Sequence, residues 1–189
     1  DIDIMLGKLP SLEEVKEKYA IEFEHYAICI YHPVTTEQVD LSIFDIIQAD
    51  KENNYIVIYP NNDPGADRII RHIESVRNKS WKVLPSMRFE YFLKLLQGAE
   101  FIIGNSSAGI REAPVYGVPT IDIGSRQEGR YYGSSVVNCR TPEEIRWSIA
   151  NPPERIKSFH FGTGDSARKF VQALENIWDT SPQKRFIDG

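Results

Sequence analysis

Residues 101–124 read FIIGNSSAGIREAPVYGVPTIDIG, and this stretch decides the fold. FIIG at 101–104 has the short apolar character of a buried strand and stops on a glycine. A helix is expected from about Ser107 to Tyr116. PTIDIG at 119–124 is then a second strand, opened by proline and closed by glycine. Strand, helix and strand in quick succession form one crossover unit of a parallel sheet.

The same alternation extends outward in both directions. YAICIY at 26–31 and YIVIY at 55–59 are near-continuous apolar runs, as strands covered on both faces should be. WKVL at 81–84 is a short further strand. Helices are expected near 36–50, from Pro64 to about Arg77, near 88–98, near 141–150 and at 165–178. Residues 1–24 form a lead-in with one helix, for which Ser11 and Glu14 supply a capping-box pattern. Gly129 to Ser135 is a turn-rich loop with room to move. The expected fold is a single α/β domain over 1–189: a doubly wound, mainly parallel, Rossmann-like sheet flanked by helices.

The chain has 189 residues, 41% hydrophobic and 26% charged, an ordinary globular mixture able to bury one sizeable core. Its formal charge of −5 excludes a broad nucleic-acid surface but not one small anion held by local donors. Cys29 and Cys139 have neither metal-like spacing nor the look of a disulfide framework, which points to the cytoplasm. No apolar run approaches the ~18 residues of a membrane span, and the acidic start is unlike a signal peptide. Asp1 in place of methionine suggests a processed chain or a fragment.

Ligands of open α/β sheets sit beyond the carboxyl ends of the strands. Four such ends carry small, polar or basic groups: His32-Pro33-Val34-Thr35-Thr36, Pro60-Asn61-Asn62-Asp63-Pro64-Gly65, Gly104-Asn105-Ser106-Ser107-Ala108-Gly109 and Gly124-Ser125-Arg126-Gln127. In the third, small residues admit a ligand close to the backbone, and hydroxyl and N–H donors suit a phosphate. Ser106 and Ser107 can equally serve as plain helix caps. Glu112, about a turn further on, can accept from two vicinal hydroxyls or simply complement the dipole and pair with Arg111. Arg126 can fork onto phosphate or stay solvated. His32 can donate to a phosphate, move a proton or cap backbone groups. Asn61 and Asp63 sit in what is first a turn signal, and Phe89 has core packing as its default. His25, His72 and His160 look like surface or packing residues. There is no metal-ligand cluster, Walker motif or GxGxxG.

Five motifs occur in order: His-Pro-Val-Thr-Thr at 32–36, Pro-Asn-x-Asp at 60–63, Gly-Asn-Ser-Ser-x-Gly-x-Arg-Glu at 104–112, Gly-x-Pro-Thr-Ile at 117–121 and Gly-Ser-Arg-Gln at 124–127. Together they resemble the hydrolysing UDP-N-acetylglucosamine 2-epimerases, whose fold is that of type-B glycosyltransferases, here the carboxyl-terminal half. The resemblance implies elimination of UDP from C1 after loss of the C2 proton. Hydration of the glycal then releases N-acetylmannosamine, with no cofactor and no metal. It also implies UDP and a UDP-N-acetylhexosamine as ligands, and an amino-terminal domain supplying most acid/base carboxylates. A homodimer or larger assembly and a place in sialic acid biosynthesis follow from the same resemblance. His32 would contact the diphosphate and assist its departure, as the one catalytic residue of this half. Asn61 and Asp63 would lie near the nucleotide and Phe89 near uracil. Ser106 and Ser107 would hold phosphate, Glu112 the ribose, and Arg126 the phosphate region. Where some relatives place lysine after the second motif, this chain has Asp67 and then Arg68. The isolated chain is expected to bind UDP without turning substrate over. Rival readings are a donor domain of a glycosyltransferase, a non-hydrolysing epimerase and a non-enzymatic nucleotide-sugar sensor.

Overall fold

A computed structural model describes residues 2–34 and 40–175. Thr35, Thr36, the first residues of the helix expected at 36–50 and residues 176–178 of the last expected helix lie outside the described residues. Six strands form one sheet: β1 (Ala27–Ile30), β2 (Tyr55–Ile58), β3 (Trp81–Leu84), β4 (Ile102–Gly104), β5 (Thr120–Ile123) and β6 (Val136–Cys139). Their order is β3-β2-β1-β4-β5-β6 and every pairing is parallel, so the sheet is wholly rather than mainly parallel.

The period-two alternation of each strand divides its side chains between two cores. Ile28, Ile30, Ile56 and Ile102 point into one, shared with α1 (Ile2–Met5), α2 (Leu12–Tyr19), α5 (Phe89–Gly98) and α7 (Ala113–Tyr116). Ala27, Cys29, Tyr55, Val57, Ile103, Ile121 and Ile123 point into the other, against α3 (Ser42–Ala49), α4 (Ala66–Val76) and α8 (Pro142–Ala150). That two-sided burial is the doubly wound arrangement that the apolar runs predict.

Four local expectations need correction. The helix expected over 107–116 is two single turns, α6 (Ala108–Arg111) and α7. Pro114 has no N–H to offer the Ile110 carbonyl, so the ladder breaks just after Glu112. β6 was not anticipated, because VVNC is short, is interrupted by Asn138 and directly follows a turn-rich loop. Nor was α1. The capping box at Ser11 is only half formed: Ser11 Oγ accepts from Glu14 N–H at 3.1 Å, whereas the Glu14 carboxylate accepts from Tyr91 O–H at 2.9 Å. The last helix, α9 (Ser166–Glu175), follows as expected within the described residues and has no buried residue.

Two glycines set the spacing around β4. Gly104 has φ +131, and a Cβ there would lie 2.0 Å from the Ile30 carbonyl oxygen. Gly109 packs α6 onto β5, where a Cβ would lie 2.5 Å from Thr120 Cγ2. The first obstacle is backbone and the second a movable methyl. Gly104→Ala should therefore destabilise the chain by roughly 3–5 kcal/mol in urea unfolding. Gly109→Ala should cost about 2 kcal/mol, partly recovered in the Gly109→Ala/Thr120→Ser double variant. Equal costs at the two glycines would contradict this account of the β1–β4 spacing.

Candidate functional site

After β1 the chain leaves for the α3 face of the sheet; after β4 it leaves for the α6 and α7 face. A crevice opens where two such neighbouring connections diverge. Asn105, only 1% exposed, spans that point. Its side chain accepts from His32 N–H at 2.7 Å and donates to the His32 carbonyl at 2.8 Å. The amide thereby mimics one more rung between strands that have just separated.

This clasp fixes the His32 ring. Its Nδ1 accepts the Asn61 backbone N–H at 3.0 Å, which ties the end of β1 to the loop after β2. An Nδ1 used as acceptor leaves the ring proton on Nε2. Burial, and then the Arg126 charge, hold the His32 pKa down at about 4, against smaller upward pulls from the Asn61 hydrogen bond and then Asp63. From the other side, Arg126 Nη1 and Gln127 Nε2 donate to the Asn105 carbonyl at 3.1 and 2.7 Å.

The crevice is a cavity of about 610 Å³, within the range of small-molecule sites. His32, Asn61, Phe89, Ser106, Ser107 and Glu112, all singled out from sequence, line it. Phe89 is 37% exposed, so core packing is not its role. Ser107 stands at the N-cap position of α6 without a side-chain cap bond, and Ser106 Oγ accepts the Ala108 N–H at 3.3 Å. With α6 only four residues long, an anion here would rely on hydroxyl and backbone donors more than on a helix dipole. Glu112 is 8% exposed and its pKa is raised, chiefly by burial.

Two expected site residues stand outside the cavity wall. Asp63 accepts from the Asn61 side-chain amide, and its carbonyl accepts the Ala66 N–H, so it shapes the turn that holds Asn61. Arg126 is bent back on Asn105 yet acts electrostatically on His32. Asp67 pairs with Arg71 on the exposed flank of α4. His25 pairs with Glu100, His72 with Asp45, and His160 stacks on Tyr131, as surface and packing residues do. The sequence reading missed Pro85, Ser86 and Met87, the wall after β3. The strand-end rule applied to WKVL would have found them. Gln127 was quoted within a motif but not recognised as a tie to Asn105. Among the described residues there is no cluster of three or more potential metal ligands and no helix long and apolar enough to cross a membrane.

The sequence profile of the UDP-N-acetylglucosamine 2-epimerase family matches residues 1–175. A Neisseria meningitidis protein named UDP-N-acetylglucosamine 2-epimerase is 41% identical over 100% of this chain and 54% of its own length. A Legionella pneumophila UDP-N,N'-diacetylbacillosamine 2-epimerase (hydrolyzing) is 25% identical over 93% of this chain and 49% of its own. Among solved structures, a Methanocaldococcus jannaschii UDP-GlcNAc 2-epimerase in complex with UDP-GlcNAc and UDP superposes with a TM-score of 0.63 at 20% identity, over 92% of this chain and 50% of that one. The chain thus spans about half the length of the relatives it matches.

The state of His32 can be measured directly. Its folded pKa of about 4 lies below the 6.5 of an unperturbed ring. Between those values the unfolded chain binds more protons, so stability is fully present above pH 6.5 and falls as pH drops towards 4. A ¹⁵N titration should show the Nε2–H tautomer with a midpoint near pH 4, and His32→Gln should flatten that part of the stability profile. A midpoint near 6.5 would show that the clasp does not hold the ring as described.

Proposed function

The chain belongs to the UDP-N-acetylglucosamine 2-epimerase family, and from that premise we propose that it is the UDP-binding domain of a hydrolysing member, which converts UDP-N-acetylglucosamine and water into UDP and N-acetylmannosamine. One observation carries the assignment of the ligand site. The ends of β1, β2, β3 and β4 meet in a single cavity at the switch point of the sheet. Its wall holds an aromatic ring, two adjacent hydroxyls, a buried carboxylate and a neutral imidazole.

Each group has a part that suits UDP. Phe89 offers a face to uracil, and the Glu112 carboxylate accepts from the two ribose hydroxyls. Ser106 and Ser107 donate to phosphate oxygens. His32 donates from Nε2 to the diphosphate and steadies it as the C1–O bond breaks. Arg126 adds positive charge behind His32, while Asp63 serves by holding Asn61 in place. In this mechanism a base removes the C2 proton, UDP departs from C1, and water adds across the resulting glycal. The proton returns to C2 on the opposite face.

Glu112 is the one carboxylate among the described residues lining the cavity, and its proposed place is at the ribose. The acid and base for C2 therefore belong to a second domain of the same enzyme, in keeping with relatives of about twice this length. The name of the Legionella relative supports the hydrolysing outcome.

Calorimetric titration of the chain with UDP should give measurable binding. Glu112→Ala and Ser107→Ala should each weaken it about tenfold, ~1.4 kcal/mol. Unchanged affinity in both variants would remove the proposed site. With UDP-N-acetylglucosamine, the chain should release no UDP above background; brisk turnover would place the acid/base groups here instead.

A further inference from the structure

Opposite Gly104 in the sheet lies a buried carboxylate that none of the foregoing steps uses. Asp122 on β5 is 1% exposed. Its Oδ2 accepts from Tyr132 O–H and from Asn138 Nδ2, each at 2.8 Å. Its Oδ1 is buried without a hydrogen-bond donor. An interior carboxylate with one oxygen unserved is a costly group to keep for packing alone.

Its partners lead to the site. Asn138 Nδ2 donates also to the Gly124 carbonyl at 2.9 Å, at the first residue of the 124–128 turn. Arg140 Nε donates to Asn138 Oδ1 at 3.0 Å, and the same guanidinium pairs with Glu128 at the last residue of that turn. Both ends of the turn are thus referred to Asn138, and Asn138 is referred to Asp122. Between those ends stand Arg126 and Gln127, the two donors to the Asn105 carbonyl. Tyr132 extends the same anchor into the loop that follows. The contacts form one continuous path: Asp122, Asn138, the turn, Arg126, Asn105, His32.

We propose that Asp122 is a positioning residue of the phosphate subsite, an acceptor that fixes the 124–128 turn through Asn138 and so sets Arg126 against the Asn105–His32 clasp. The inference rests on the reading of the cavity as a UDP site. Phe89 and Glu112 stand on other elements, so the uridine portion is independent of Asp122. The work of Asp122 is geometric: one oxygen receives two donors, and an amide oxygen in its place can do the same.

The test compares UDP with uridine, by calorimetry on the folded chain. Wild type should prefer UDP to uridine. Asp122→Ala should weaken UDP about tenfold and leave uridine within about twofold. Asp122→Asn should restore UDP binding to within about threefold of wild type. Asn138→Ala, whose side chain is only part-buried, should reproduce the selective loss and serves if Asp122→Ala does not fold. An unchanged preference for UDP in folded Asp122→Ala or in Asn138→Ala would overturn the proposal, as would equal weakening of both ligands or an Asp122→Asn as impaired as the alanine variant. A wild type that binds uridine as tightly as UDP would instead sink the phosphate-site reading itself.

Discussion

The carbonyl of Ile30 and the α-carbon of Gly104 sit so close that no side chain fits between them, and much of the molecule follows from that contact. It brings the ends of β1 and β4 together at the moment their chains turn to opposite faces of the sheet. One residue later Asn105 closes the gap with two hydrogen bonds to the backbone of His32. The histidine is then held first through its own main chain. Its Nδ1 is left to receive the loop after β2. A single glycine thus lets the sheet carry a polar crevice at its midpoint with its backbone groups served.

The fold was legible because burial on both faces leaves a plain mark. Strands such as YAICIY cannot be solvent-facing, and their alternation with amphipathic stretches leaves little choice but a parallel sheet. Pairing order was another matter, since it depends on which crossovers share a face, and no local pattern encodes that. β6 escaped notice because it is an edge strand, where Val136, Val137 and Asn138 are only part-buried and the apolar run is short. The break between α6 and α7 was visible in Pro114, although one helix was expected across it.

The site was legible to the extent that its residues stand directly after strands. His32, Asn61, Ser106 and Ser107 were found by that rule and do line the cavity. Glu112 had a bland alternative of equal standing and Phe89 had core packing as its default, because a helix position does not reveal which way its side chain faces. The tertiary ties were invisible: the Gln127 and Arg126 bonds to Asn105 join residues more than twenty apart, and nothing in their types requires the pairing. Asp122 is the clearest case. In TIDI it is a polar residue inside a strand, and nothing local to the sequence names its partners. It lies under Tyr132 and Asn138.

The chain carries five net negative charges, yet the crevice is the site proposed for an anion. The two facts are compatible because the relevant field is local. The Arg126 guanidinium lies near enough to help keep His32 unprotonated, so the ring does not add a second positive charge beside it. A neutral donor beside one cation costs less to keep buried than two adjacent cations would. When an anion arrives it opposes the effect of Arg126, and the same imidazole becomes easier to protonate. The depressed pKa of His32 and its proposed donation to a diphosphate are therefore two consequences of one arrangement. In the proposed reading that arrangement depends on where Arg126 stands, between the turn at 124–128 and the Asn105 carbonyl that accepts its bond.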